Sequence, residues 1–191
     1  MLSETTLCSR ALVIAGGEAI SSFDEGTLSA DTANDLYPGV RDLVLSMHPW
    51  HFCTKTITLT EDAATPAANW KYQYSIPGDW LAFDLVSLPG SEVPIDHDIE
   101  ERKLLGNFTP IAAKYRFRAK PLNWPAWFDQ LAIEFLAAAF CEPITESNTK
   151  ALNILERVEK ITLPRCRLIN SRNSSPGKFR DETLLHAHRG G

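Results

Sequence analysis

The chain lacks any apolar run of the roughly 18 residues that a membrane-spanning helix needs. Its longest candidate, Leu131 to Cys141, is too short and is broken by Glu134, so no membrane anchor is expected. No basic flank precedes the first apolar side chains, and no signal peptide is expected. Cysteine is scarce. Cys8, Cys53, Cys141 and Cys166 lie far apart without a C-x-x-C pair. That spacing argues against a zinc knuckle or a disulfide frame and points to free thiols in a reducing compartment. The Gly16-Gly17 pair lacks the spaced glycines and the Lys-Ser/Thr of a phosphate loop, so it reads as a helix terminator. Basic residues are scarce in the first half: residues 1–101 hold 16 Asp/Glu against 4 Lys/Arg, while residues 102–191 hold 8 against 15. No cofactor-binding fingerprint appears, and no internal repeat.

What is present suffices for a real core. The 191 residues are 44% hydrophobic and 9% aromatic, which fits one domain or one domain with an insertion. Hydrophobic spacing predicts a first helix over Leu2 to Ala15, capped by Ser3 or Thr5. A second begins near Asp31 or Thr32, with Leu36, Val40, Leu43, Val44 and Met47 on one face and a kink or false start at Pro38. It stops at His48-Pro49-Trp50-His51-Phe52, because Pro49 cannot continue the ladder. Beyond it the period changes to two. Cys53 to Thr60, Trp70 to Ile76, Trp80 to Leu88 and Ile111 to Arg118 read as strands, with shorter ones at Ile95 to Ile99 and Lys103 to Leu105. A small, mostly antiparallel sheet of four to six strands is expected.

Helical spacing returns after Asn123-Trp124-Pro125. Trp127, Leu131, Phe135 and Ala138 make a stripe that Ala132, Leu136, Ala139 and Phe140 widen, which predicts a buried helix ending at Glu142-Pro143. A fourth helix starts at Thr145 or Ser147, with Leu152, Leu155, Val158 and Ile161 or Thr162 on one side, and Pro164 stops or kinks it. From Ser171 the chain is polar and basic, with too little apolar surface to fold alone. The fold class expected is therefore α+β: about four bundled helices, a small antiparallel sheet inserted between helices 2 and 3, and an extended C-terminal arm. The units are residues 1–52 (helix pair), 53–122 (β insertion), 123–170 (helix pair) and 171–191 (arm).

Candidate chemistry is sparse. His48-x-x-His51-x-Cys53 has metal-ligand types, but Pro49 spoils the helical spacing such sites use, and no fourth ligand is near in sequence. His51 and Cys53, two apart on an expected strand, share a face without an orienting partner for a thiol nucleophile. Glu100-Glu101 offers carboxylates for sugar cleavage, yet adjacent acids at a strand edge are usually solvated. His186-x-His188 is a weak metal pattern. The aromatic ladder from Trp70 to Trp80 could stack bases, but its surroundings are acidic. No catalytic, cofactor-binding or metal residue is assigned. Between Lys160 and Arg180 lie six basic residues and no acid, which suits nucleic acid, an acidic protein surface or a neighbouring copy.

Several patches, taken in order, resemble one family. They are LCSRALVIAGGEAI at the N-terminus, Leu36-Tyr37-Pro38-x-x-Arg41-Asp42, His48-Pro49-Trp50-His51-Phe52, YQYSIPGDWL from Tyr72 to Leu81, and the Ala-rich stretch Trp127 to Phe140 followed by Glu142-Pro143-Ile144-Thr145. Together they span roughly residues 5 to 165 and resemble the head-to-tail adaptors of short-tailed bacteriophages, the tail tubular protein A group. The resemblance implies a structural virion protein without catalytic activity, assembled in the host cytoplasm. Such proteins form a ring, typically of 12 copies, between the portal and the tail nozzle or tube. DNA passes through the centre during ejection without sequence-specific binding. It implies that the C-terminal segment docks on the portal or a neighbouring subunit through Arg165, Arg167, Arg172, Lys178, Phe179, Arg180, Leu184 and Leu185. Tyr37, Arg41, Asp42, Pro49, Trp50 and Phe52 are expected to be structural anchors. The alternatives are an adaptor with peptidoglycan-hydrolase activity, using Glu100 or Glu101, and a basic DNA-binding module.

Overall fold

A computed structural model describes residues 2–64, 66 and 69–173. The fold is α+β, as expected, with helices at both ends of the described residues and the strands inserted between the second and third. Helix α1 (Glu4–Ala15) is capped by Ser3, whose hydroxyl accepts from the Thr6 amide. Gly16 ends it at φ 100°, a conformation that suits glycine, and both Gly16 and Gly17 donate their amides to Leu12. A Cβ on Gly17 would lie 2.8 Å from Ile144 Cγ2, so the pair also lets α1 close onto the far end of the third helix.

Helix α2 (Leu28–Ser46) starts earlier than its sequence suggests. Thr27 caps it, and Asp31 lies in the first turn, where the helix dipole favours an acid. Pro38 interrupts nothing: it sits on the exposed face, where only the bond to the Asn34 carbonyl is forgone. The buried stripe is rotated from the expected one. Ala30, Ala33, Tyr37, Val44 and Leu45 point inward, Leu36, Val40 and Met47 are half-buried, and Leu43 is exposed. Small residues at 30 and 33 let α2 approach its neighbours more closely than a leucine face would.

The corner then turns through a 3-10 turn, His51–Cys53, rather than entering a strand directly. Six strands follow: β1 (Thr54–Thr58), β2 (Tyr72–Ser75), β3 (Trp80–Ser87), β4 (His97–Glu100), β5 (Lys103–Gly106) and β6 (Ala112–Phe117). They form two antiparallel three-stranded sheets, β1-β6-β3 and β2-β5-β4, where one sheet was expected. Both central strands, β5 and β6, come late in the chain and recruit earlier strands on each side, a pairing that alternation alone does not specify. Leu59, Tyr74, Ile76, Val86, Leu104, Ile111 and Ala113 give the insertion a hydrophobic cluster of its own.

Helix α3 (Ala126–Thr145) is the axis of the bundle. It begins two residues after Trp124, with Pro125 in the capping position and Asn123 in a preceding 3-10 turn. It also runs through Pro143 to Thr145, two residues past the expected stop, and closes on Glu146 in the left-handed region. Phe128, Leu131, Ala132, Ile133, Leu136, Ala137, Ala138, Phe140 and Cys141 are all buried, so the helix is covered on nearly every side. α1, α2 and the C-terminal helices supply that cover.

The C-terminal helices form one rod: α4 (Asn148–Arg157, capped by Ser147), a π-helical turn over Val158–Thr162, and α5 (Leu163–Arg172). Pro164 neither stops nor breaks the rod. The π turn just before it widens the ladder where the proline ring would otherwise meet a carbonyl one turn back, and where its missing N–H would be needed. Inward positions are Ile154, Val158, Leu163 and Cys166, whereas Leu152 and Ile161 point out. Residues 171 and 172, expected in the arm, complete α5. Lys178, Phe179, Arg180, Leu184 and Leu185, like His186 and His188, lie outside the described residues.

The bundle core depends on Trp50. Its side chain is fully buried, its indole N–H donates to the Val44 carbonyl at 3.0 Å, and its ring meets Trp127 and Phe128 at 5.6 and 5.4 Å. Trp50→Ala should lower unfolding free energy by about 3–5 kcal/mol in denaturant titration. A loss under about 1 kcal/mol would show that the cavity collapses or that the ring contributes little.

Candidate functional site

The expected anchors fall into two groups. Trp50 and Phe52 join Trp124, Trp127 and Phe128 in one aromatic cluster, with Phe52 4.7 Å from Phe128 and Trp124 4.9 Å from it. Edge-to-face contacts dominate, the arrangement that ring quadrupoles favour. Pro49 itself is exposed, and its contribution is made by its carbonyl. Tyr37 is buried farther up α2, near Phe23, with the Arg41 guanidinium 5.5 Å over its ring. Burial, and then the Glu4 carboxylate, push its phenol well above the ordinary range.

Arg41 and Asp42 belong to the second group, the joint between bundle and insertion. Asp42 accepts from Arg41 Nε at 2.8 Å and takes a bidentate grip from Arg118, just past β6, at 2.7 to 2.9 Å. Two residues back, Arg116 donates to the Ser46 carbonyl at the end of α2 and pairs with Asp84 of β3 at 2.9 Å. Alternation puts Arg116 and Arg118 on one side of β6, and both cations reach the C-terminal end of α2, where the helix dipole attracts them. Partial burial pushes the Asp42 carboxyl up, but the hydrogen bonds from Arg118 and Arg41 outweigh it, so its pKa lies below the ordinary 3.8.

The corner is held by Asn170, which the sequence did not single out. Asn170 is 3% exposed; its Oδ1 accepts from the His51 amide at 3.0 Å and its Nδ2 donates to the Pro49 carbonyl at 3.3 Å. One side chain thus reads two backbone groups 119 and 121 residues away. Glu134 is its counterpart at mid-rod. It is 5% exposed, takes hydrogen bonds from Gln130 (2.9 Å) and Thr162 (2.7 Å), and lies 3.5 Å from Arg157. The acid that breaks the apolar run 131–141 is therefore the pin that holds the π turn. That interruption was the one sequence signal for it; a lone Asn in a polar stretch offers none.

The chemical candidates separate. His51 is exposed and Cys53 buried, so the 3-10 turn removes the shared face that a strand would have given them. Burial pushes the Cys53 thiol up to about 12, which keeps it protonated and unreactive near neutrality. Burial, and then the Arg167 charge, lower the His48 pKa. Glu100 and Glu101 are exposed at the β4–β5 hairpin, where Glu101 and Arg102 take positive φ. Among the described residues, no three His, Cys, Asp or Glu side chains stand close enough to hold a metal ion. Of the expected docking residues, Arg165, Arg167 and Arg172 are exposed on α5. The chain matches no family model and no curated protein.

Two outcomes test this geometry. Asn170→Ala leaves two backbone groups without their partner and should cost about 1–3 kcal/mol. Asn170→Asp should cost more at neutral pH than at pH 3, because a carboxylate then faces the Pro49 carbonyl; equal losses at both pH values would contradict the assigned hydrogen bonds. Asp42 has a depressed folded pKa, so its stabilisation is complete above the ordinary aspartate value and is lost as pH falls through the folded value. Asp42→Asn should therefore flatten the acid limb of a stability–pH curve, and an unchanged limb would show that the joint carries no linkage.

Proposed function

We propose that this chain is a structural head-to-tail adaptor of a short-tailed bacteriophage virion: a ring of copies, about 12, set between portal and tail nozzle, with DNA passing through its centre. On this reading it has no catalytic activity, and its partners are further copies of itself, the portal and a tail component. The carrying observation is that the motif patches resembling the adaptor family coincide with the joints of the fold. His48 to Phe52 is the corner gripped by Asn170. Asp42 is the hinge pin to the β insertion. Gly17 sits against Ile144, in the Glu142-Pro143-Ile144-Thr145 segment that follows the Ala-rich stretch. A resemblance confined to surface loops would carry less weight than one that follows the packing.

Rigid construction also suits the role. A protein that transmits load between two rings gains from helices pinned at mid-length and at the end, as Glu134 and Asn170 pin the rod. The basic end of α5, carrying Arg165, Arg167 and Arg172, leads into residues 174–191, whose Lys178, Phe179, Arg180, Leu184 and Leu185 supply the portal-docking surface on this reading.

The test is a deletion. Because Asn170 to Arg172 belong to the fold, the cut is placed after Asn173. Removing residues 174–191 should leave thermal stability within about 1 kcal/mol of the parent, as for segments that add nothing to a core. It should also abolish co-sedimentation with purified rings of the portal protein of the same phage. Undiminished portal capture by the truncated chain would overturn the docking assignment, and failure of the parent to bind portal rings would overturn the adaptor reading.

A further inference from the structure

Two helix faces on this molecule carry exposed apolar side chains interleaved with charge that is unpaired among the described residues, and the charges are opposite. On the rod, Ile161, Arg165, Leu168 and Arg172 recur at spacings of four, three and four, so they share one face. Ile161 is 60% exposed and Leu168 52%. On α2, Leu28, Asp31, Asp35, Gly39 and Leu43 share another, with Leu28 66% and Leu43 54% exposed. The second face borders a groove of about 370 Å³ between α2 and α3, into which Asp35, Leu36, Glu142 and Pro143 project. Neither Arg165 nor Arg172, and neither Asp31 nor Asp35, makes an ion pair among the described residues.

Isolated apolar residues on a surface need no explanation, but apolar residues alternating with unpaired charges of one sign make a patterned surface. Pairing the rod face with itself would oppose arginine to arginine, and pairing the α2 face with itself would oppose aspartate to aspartate. Each face is complementary to the other. They cannot meet within one chain, because both helices pack on α3 from different directions. Glu134 meets the rod and Ala139 borders α2; five residues apart, they lie about 140° apart around the α3 axis. Faces that diverge by that angle also cannot both be used across a single twofold dimer plane. The complementary surface must therefore come from a second copy, joined head to tail.

We propose that the rod face of one copy, through Ile161, Arg165, Leu168 and Arg172, docks on the α2 face and α2–α3 groove of the next copy, through Leu28, Asp31, Asp35, Leu43 and Glu142. This names the contact between copies within the ring-forming reading above and rests on that reading for its closure. A single helix-on-helix contact falls below the roughly 1,200 Å² of a standard stable interface, so each pairwise contact is weak and salt-sensitive.

The test is a charge swap in the full chain, followed by sedimentation velocity at about 0.05 M salt, where screening is weak. Variant one carries Arg165→Glu and Arg172→Glu; variant two carries Asp31→Lys and Asp35→Lys. A control carries Lys71→Glu and Arg102→Glu in the β insertion, both exposed and outside either face. Circular dichroism verifies that each variant keeps its helices. The parent and the control should associate with rising concentration. Each face variant alone should associate at least about tenfold more weakly, and an equimolar mixture of the two should recover association, because each then presents the charge the other lacks. A parent that stays monomeric, a mixture that does not recover, or a control that weakens equally would overturn the proposal. Portal co-sedimentation of the same proteins separates the two readings: recovery in the mixture without portal binding retains this contact and removes the adaptor role, and portal binding without recovery does the reverse.

Discussion

A helix that is apolar around most of its circumference cannot lie on a surface, and α3 is such a helix. From Phe128 to Cys141 nearly every position is buried, and the residues that would face water on an ordinary amphipathic helix are alanines. The chain has to supply cover on every side, and it does so with α1, α2 and the rod. The alanines let those helices approach closely, and the same closeness forbids a Cβ at Gly17. Burying α3 is thus the demand from which the positions of the other helices follow. Of its two buried acids, Asp129 and Glu134, the second is tolerated at mid-helix because Gln130, Thr162 and Arg157 meet it.

Covering α3 also brings together two segments 119 to 121 residues apart in the chain. The corner at His48 to Phe52 lies at one end of α3, against Trp127 and Phe128. The rod returns antiparallel along α3 and arrives at that same end, where Asn170 closes on the backbone of Pro49 and His51. A backbone leaving a helix at a proline has donors and acceptors that secondary structure does not satisfy, and burying them without partners costs free energy. Asn170 is well suited to this place because one amide both donates and accepts. The β insertion departs from the same corner and is fixed to the end of α2 by Arg116 and Arg118, so its orientation is tied to the bundle by side chains as well as by the chain path.

How far the sequence disclosed this depends on the range of each interaction. Helix α3 and the aromatic corner were legible because their signals are local: periodicity, a proline, two aromatics. Gly16-Gly17 was legible as a helix end, though the close approach to Ile144 was not, since that depends on a residue 127 positions away. Capping positions slipped: Thr27, not Asp31 or Thr32, caps α2, and Pro125 occupies the capping position of α3 without a side-chain hydrogen bond. The division of six strands into two sheets was hidden because alternation reveals which residues share a face but not which strands are neighbours. Pro164 reads as a stop in any local account, and only the π turn before it explains why the helix continues. Asn170 had no signal, because its value lies in two partners 119 and 121 residues away.

The proposed contact between copies has a further physical consequence. Two complementary faces set about 140° apart around α3 leave every finite open chain with one unpaired basic face and one unpaired acidic face at its ends. Only closure removes both. Weak pairwise contacts favour this outcome, because an incomplete arc exchanges copies freely while a closed ring requires two contacts to break before any copy leaves. Rigidity decides between a ring and an open filament: the angle between successive copies must repeat accurately, which requires the rod and α2 to hold fixed directions relative to α3. The Glu134 network and the Asn170 grip fix the first direction, and the Trp50 indole bond to Val44 with the Asp42–Arg118 pair fixes the second. On this account the polar pins inside the bundle matter for assembly as much as for stability. A bundle of the same hydrophobic composition without them could fold, but its outward faces would wander relative to one another, and copies joined through them would not close reproducibly.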